Sequence, residues 1–530
     1  MSLALVTELH AVLTARAAES QVQQVGFDYR MIIGEDIMKR VMRKAAAFTL
    51  SAAMLLTASF SVSAEDKAVL SDTEWNAFVE KKIELNNPPG LAVAVVNGSE
   101  TEYKNWGYGN IEEQIPVTED TVFGIGSCSK AFTALSVFLL QEEGKLSVED
   151  SVKDYLPWWN VTWDGQPQDT KIWQLLEHCS GIPNSTMMQY PAGDSAASNE
   201  DIAHIAENIR LVYEPGTRFE YCNLGYDILA YITETVSGVP FEEYVTNDIL
   251  QPIGMTHSSY HIPTTQGYRW LFTKLLPYDE PESLLTSGDG GLRSTPRDMS
   301  LWMEAQLGHL ELPEKLTNAI AASQEMPDAY KIDMGYGMVQ YNGWIYNGYY
   351  FHTGTNADFS SLILIDKERD IGIFSVSNAW TLTADIAGNS LYQRMKGEEI
   401  NRAQFDILDY SSTIDNVSSC ITIIGLIGIV IILVLMFTQK KRLAKKQTDL
   451  SKEGRKLVIR CCVLIPLFVL MLLLPKLIVW AAGYGFTSYK MIGVWFPYSF
   501  LIAFFTLSAM LFMMIISSAV RYFAVKSIKT

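Results

Sequence analysis

Three apolar runs near the C-terminus, Val417 to Phe437, about Leu457 to Ala482 and about Val494 to Ser518, constrain this chain more than any other feature. Each is long enough to cross a bilayer, which takes about 20 apolar residues, and inside lipid a lone segment satisfies its own backbone polar groups only as a helix. Three membrane helices are therefore expected within residues 416–530. The stretch between the first two runs reads Gln439-Lys440-Lys441-Arg442-Leu443-Ala444-Lys445-Lys446, and Arg521, Lys526 and Lys529 close the chain, whereas the loop from Gly483 to Met491 carries only Lys490. Basic residues stay cytoplasmic, so this asymmetry predicts a cytoplasmic basic loop and C-terminus, with the preceding chain on the extracytoplasmic side of a cell membrane.

The N-terminal side agrees. Met38 to Ala64 reads as a basic stretch, an apolar stretch and then small residues at Val62-Ser63-Ala64, the pattern of a secretory signal, with a mature start at Glu65. Residues 1–37 have neither signal character nor a clean amphipathic period and are expected to be a spurious or disordered extension. Residues 65–396 have globular composition, and a polar linker, 397–415, leads to the membrane region. With 530 residues there is room for one sizeable catalytic body beside these segments. The formal net charge of -18 excludes a general nucleic-acid binder. Of six cysteines, Cys420, Cys461 and Cys462 lie in or beside apolar runs, and Cys128, Cys179 and Cys222 are far apart with no Cys-x-x-Cys, so neither a disulfide framework nor a zinc site is indicated.

Within the globular stretch, Leu91 to Val96, then Asn97-Gly98, then Glu102 to Gly107 reads as a hairpin whose turn suits positive φ. Ser361 to Ile365 and Ile371 to Val376 flank Asp366-Lys367-Glu368-Arg369-Asp370 as a second hairpin. The middle is mostly helical. Strands from both ends around a helical insertion predict an α/β fold, with an antiparallel sheet flanked by helices beside an all-helical lobe.

Three short motifs carry chemistry. Ser127-Cys128-Ser129-Lys130 opens an apolar helix that stops near Gly144, and residues three apart share one face of a helical turn, so Lys130 is near enough to take a proton from Ser127. Burial against that helix is expected to depress the lysine pKa. Tyr221-Cys222-Asn223 supplies a phenol able to relay protons and an amide able to hold a carbonyl. His352-Thr353-Gly354, followed by Thr355, stands before the late hairpin. There His352 can attract a substrate carboxylate, when cationic, or assist proton transfer, and Gly354 lets a strand edge approach the substrate.

With these motifs the chain resembles the serine β-lactamase and penicillin-binding-protein superfamily, in its class C β-lactamase and DD-peptidase branch, whose general signature is Ser-x-x-Lys, Ser-Asp-Asn and Lys-Thr-Gly. Here the second motif is the Tyr-x-Asn form and the third carries histidine for lysine. Gly144 to Asp150, Leu175 to Pro183 and Gly290 to Thr295 add to the likeness, which covers about residues 70 to 395 and none of the membrane region. The resemblance implies Ser127 as nucleophile, Lys130 as general base with Tyr221 sharing the proton traffic, and the backbone N–H groups of Ser127 and Thr355 as oxyanion hole. It implies Asn223 on the substrate amide, His352 with Thr353 on its carboxylate or leaving group, and His178 as a structural residue below the site. No metal or cofactor is implied.

The expected activity is therefore hydrolysis of amide or ester bonds through an acyl-enzyme, on D-amino-acid peptides or peptidoglycan-related substrates. A β-lactamase acting on β-lactams and an esterase are the alternatives among enzymes. A non-catalytic membrane sensor is the alternative outside them. The expected partners are a small-molecule or peptide substrate and the lipid bilayer, with no nucleic acid.

Overall fold

The computed structural model describes residues 67–529 except 69, 192–196, 282–285, 325–337, 341–342, 347–348, 402–408, 444–448 and 485–486. The expected extension and signal segment lie outside the described residues.

Among the described residues the main sheet has eight strands, β1 (Gly90–Asn97), β2 (Glu100–Asn110), β3 (Ile115–Pro116), β4 (Met338–Gln340), β5 (Gly343–Tyr346), β6 (Tyr349–Thr355), β7 (Ser360–Asp366) and β8 (Ile371–Ser377). They are antiparallel in the order β4-β5-β6-β7-β8-β1-β2-β3. Both expected hairpins are present. In the first, Asn97 pairs with Glu100 across a two-residue turn, and Gly98 takes the positive φ of 58° that the right-handed twist of the strands demands. The pairing of β8 with β1 joins the two ends of the catalytic body, and the helical lobe is the insertion between β3 and β4.

The principal helices of this body are α1 (Asp72–Asn86), α2 (Lys130–Glu142), α3 (Asn223–Ser237), α4 (Pro296–Leu307) and α5 (Thr383–Met395). Strands β1, β7 and β8 are apolar on both faces because both faces are covered. Leu91, Val93, Val95, Leu362, Leu364 and Ile373 pack with Trp75, Phe78, Ala387 and Leu391 of α1 and α5. Ala92, Ala94, Val96, Ile363, Ile365 and Phe374 face the opposite core, which holds Phe132 of α2 and Trp302 and Met303 of α4. Helix α2 is buried at every position from Lys130 to Leu140, so it has no solvent stripe and forms the centre of the lobe. That burial fixes the turn preceding it.

Four helices follow, α6 (Tyr410–Leu443), α7 (Leu450–Val479), α8 (Tyr489–Trp495) and α9 (Tyr498–Lys529). Three stretches, Ser411–Gln439, Leu450–Ala482 and Tyr498–Ile528, are long and apolar enough to cross a membrane. Their side chains are not core side chains, for Ile424 is 61 % exposed, Val458 61 % and Phe437 86 %. The first helix starts inside the stretch expected as linker. The third apolar run is also divided differently from its expected extent, since Val494 and Trp495 close the short helix α8 and the last long helix opens only after Pro497. Proline lacks the N–H that a continuing helix would use.

The catalytic body meets these helices through a small hairpin, Gly267–Leu271 with Lys274–Tyr278. Its turn residues Phe272 and Thr273 both have positive φ, 51° and 66°, a costly conformation for a bulky and a β-branched residue. Buried Asp415 of α6 offsets that cost by accepting from both backbone N–H groups, at 3.0 and 2.6 Å, and also accepts from Ser499 Oγ of α9. Arg269 of the hairpin donates to the carbonyls of Gly493, at 2.9 Å, and Phe496, with its guanidinium over the rings of Tyr278 and Tyr498.

Candidate active site

Gly126–Ser129 form a 3-10 turn leading directly into α2, which puts Ser127 at the head of the buried helix. Gly126 has φ of 52°, and a Cβ there would lie 2.5 Å from the backbone N of Thr355. A Cβ on Gly354 would lie 2.0 Å from the carbonyl oxygen of Ile125. These two glycines are what let the end of β6 lie against the serine turn. The backbone at Ser127 and Thr355 is thereby brought to one place, the arrangement an oxyanion hole requires.

Lys130 is 2 % exposed and its Nζ donates to Ser127 Oγ at 3.2 Å and to the carbonyl oxygen of Asp289 at 2.6 Å. It also shares a hydrogen bond with the Tyr221 side chain. The expectation of a depressed lysine pKa fails here. Burial does push it down, but Tyr221, Asp289 and Asp227 together outweigh burial and hold Lys130 above the ordinary lysine value. Negative charge gathered around one buried ammonium accounts for the direction.

Tyr221 stands on His178. The two rings lie 4.3 Å apart, His178 Nδ1 accepts from the N–H of Cys222 at 3.2 Å, and the His178 carbonyl accepts from Glu220 N–H at 2.7 Å. Burial, and then the charge of Lys130, keep this histidine well below its ordinary pKa, so it acts as a neutral platform. Asn223 begins α3, its Nδ2 4.0 Å from Met187 Sδ, and its buried Oδ1 has no hydrogen-bond partner among the described residues.

His352, Thr353 and Gly354 lie on β6, paired with Ile363, Leu362 and Ser361 of β7. The His352 ring is 6.2 Å from that of Tyr221, and its Nδ1 is 2.7 Å from the Thr353 carbonyl oxygen, which makes that nitrogen the donor. His352 is 7 % exposed, and burial together with nearby Lys130 lowers its pKa to about 4. A cationic histidine reading a substrate carboxylate at neutral pH is therefore corrected to a neutral, buried imidazole.

The cleft over the serine, about 40 Å³, is lined by Ser127, Asn223 and Thr355 and by Met187, Tyr190, Glu280, Asp289, Gly290, Asn356 and Trp495. Sequence reasoning missed the carboxyls. Asp227, one helical turn beyond Asn223, accepts from the N–H of Asp289 at 3.1 Å and from Tyr190 Oη at 2.5 Å. Burial and then repulsion by Asp289 push Asp227 well above the carboxylate range, and burial pushes Asp289 up as well, against the pull of Lys130. Asp289, 4.0 Å away, is the nearest carboxylate to the Lys130 ammonium. The i, i+4 spacing from Asn223 was the available signal for Asp227. Trp495 offered none, because it comes from the membrane region.

The Beta-lactamase family matches residues 75–394. Protein flp of Staphylococcus aureus (strain NCTC 8325 / PS 47) is 25 % identical over 459 residues, covering 83 % of this chain and 89 % of its own length. That share is too large to end where the family match ends, so the likeness runs into the C-terminal helices. A Beta-lactamase of Escherichia coli (strain K12) is 27 % identical over 270 residues, covering 50 % of this chain and 69 % of its own. Among solved structures, an octameric penicillin-binding protein homologue from Pyrococcus abyssi superposes with a TM-score of 0.55 at 26 % identity, over 62 % of this chain and 78 % of that one. A class C beta lactamase from Rhodobacter sphaeroides shares the fold with a TM-score of 0.52 at 23 % identity, over 61 % of this chain and 98 % of its own. With the family match spanning more than half of its length and the serine and lysine in contact beneath that fold, this chain belongs to the beta-lactamase family.

Proposed function

We propose that the protein is a membrane-anchored serine hydrolase, with its catalytic body on the extracytoplasmic side, that cleaves esters or amides through an acyl-enzyme on Ser127. The observation that carries this reading is the 3.2 Å contact between Ser127 Oγ and a lysine 2 % exposed. A surface lysine would be solvated and would not hold this position. The serine proton passes to the Tyr221–Lys130 pair, which is ready to accept once it has lost one proton, whichever of its two atoms is left bare. Serine oxygen attacks the carbonyl, the backbone N–H groups of Ser127 and Thr355 hold the oxyanion, and the pair returns the proton to the leaving group. Water then repeats the sequence and frees the serine. Asn223 Oδ1, buried and unpartnered among the described residues, is placed to accept from a substrate N–H.

The cleft also bears on substrate class. Among its described lining residues there is no lysine or arginine, while Glu280 and Asp289 are both present. With His352 neutral and no described lysine or arginine in the lining, the cleft offers a substrate carboxylate no cation there, which favours esters and amides lacking a free carboxylate beside the scissile bond over β-lactams and peptides ending in free D-alanine. Turnover by the full chain of matched D-alanyl esters, amides and carboxylate-ended peptides tests the reading. Faster hydrolysis of the neutral members, lost in Ser127→Ala, supports it; a preference for carboxylate-ended peptides or β-lactams contradicts the substrate assignment.

A further inference from the structure

We propose that the membrane region supplies part of the active site. Trp495 contacts substrate and selects amphiphilic esters or amides whose apolar tail stays in the membrane interface. This rests on the reading of Ser127 as nucleophile. Trp495 closes α8 and lines the same cleft as Ser127, Met187 and Asn223. Its indole N–H is buried and has no hydrogen-bond partner among the described residues. A buried donor without an acceptor is costly, and a carbonyl or ester oxygen bound in the cleft would satisfy it.

The placement is built. Met491 of the same helix is 2 % exposed and belongs to the main core of the catalytic body, so α8 is anchored at one end in that core. Arg269 holds the other end through the carbonyls of Gly493 and Phe496. Asp415 locks the hairpin that carries Arg269 through its two strained turn residues. Tyr498, where the third apolar helix opens, follows Trp495 after two residues, which sets the cleft at the depth where tryptophan and tyrosine mark a membrane interface. Substrate entering there keeps its apolar part in lipid while its carbonyl reaches the serine.

Two measurements on the full chain in nanodiscs decide this. For the first, Met187→Cys and Trp495→Cys are combined in a background in which Cys420, Cys461 and Cys462 are replaced by alanine, and the pair is treated with dibromobimane, which fluoresces on bridging two thiols. For the second, rates of labelling by ethyl and dodecyl fluorophosphonates are compared in wild type, Trp495→Ala and the lipid-facing variant Phe437→Ala. The expected results are a bimane bridge and a dodecyl-to-ethyl rate ratio that falls about tenfold, or ~1.4 kcal/mol, in Trp495→Ala only. Absence of the bridge while each single cysteine still reacts, or an unchanged ratio, overturns the proposal and leaves the nucleophile reading standing. A bridge in the double-cysteine variant together with a wild-type enzyme that no fluorophosphonate labels removes the nucleophile reading, and this proposal with it.

Discussion

Replacing His352 with lysine should destabilise the protein. The imidazole is 7 % exposed, and its pKa of about 4 reflects burial first and the charge of Lys130 second. Against an unfolded value of about 6.5, charging it in place costs about 3 kcal/mol, at ~1.4 kcal/mol per pKa unit. The sign follows from the depression. Above pH ~6.5 both states are neutral and the full stability is present, and as pH falls toward 4 the unfolded chain takes up the proton first, so stability is progressively lost. A lysine at 352 would carry that charge at all physiological pH values beside Lys130, at a cost of roughly 3–5 kcal/mol for a buried, uncompensated ion. His352→Gln, neutral and able to hydrogen-bond, should fold and should lose less stability on acidification than wild type. Denaturation midpoints at several pH values, with kcat/KM for a neutral ester from about pH 5.5 to 8, provide the assay. A kcat/KM limb near 6.5 in wild type that disappears in His352→Gln would refute the neutral imidazole, as would a His352→Lys variant as stable as wild type.

Gly354→Ala should cost at least a hundredfold in kcat, ~2.7 kcal/mol, because its Cβ would lie 2.0 Å from the Ile125 carbonyl oxygen and push β6 off the serine turn; wild-type kcat in a folded variant would contradict that. Asp289→Asn removes a charge that raises the Lys130 pKa, so the alkaline rise of kcat/KM should move to lower pH, which a full pH profile reads directly. Asp227→Asn removes the repulsion between Asp227 and Asp289 and keeps an acceptor for the Asp289 N–H and Tyr190 Oη, so stability should change by only about 1 kcal/mol, which chemical denaturation checks. Arg269→Ala should expose the junction between catalytic body and membrane helices to protease in nanodiscs, through loss of the bonds to Gly493 and Phe496.

Much of the fold is legible because local rules and tertiary packing agree in it. Strand β1 reads as a strand, its turn needs positive φ and has Gly98, and the unbroken apolar run of α2 announces a helix buried on all sides. The Ser-x-x-Lys spacing likewise predicts the contact between Ser127 and Lys130, since one helical turn sets it. What sequence reasoning missed depends on residues distant in the chain. The direction of the Lys130 pKa comes from Tyr221, Asp289 and Asp227, and burial of the lysine taken alone gives the opposite sign. His352 looks like a strand-edge histidine until its pairing with Ile363 of β7 places it inside the sheet. Trp495 sits in an apolar stretch whose composition speaks only of lipid, and its place beside Ser127 follows from Arg269 and Asp415, two isolated charges with no motif around them.

The central claim is that Ser127 becomes acylated. Intact-mass analysis of the full chain after brief exposure to a neutral activated ester at low pH, where loss of the acyl group is slowed, tests it most directly when followed by peptide mapping. The account predicts one added acyl mass, on the peptide containing Ser127, absent from Ser127→Ala and strongly reduced in Lys130→Met. Turnover of the ester with no adduct at any time, or an adduct that persists in Ser127→Ala, would contradict it.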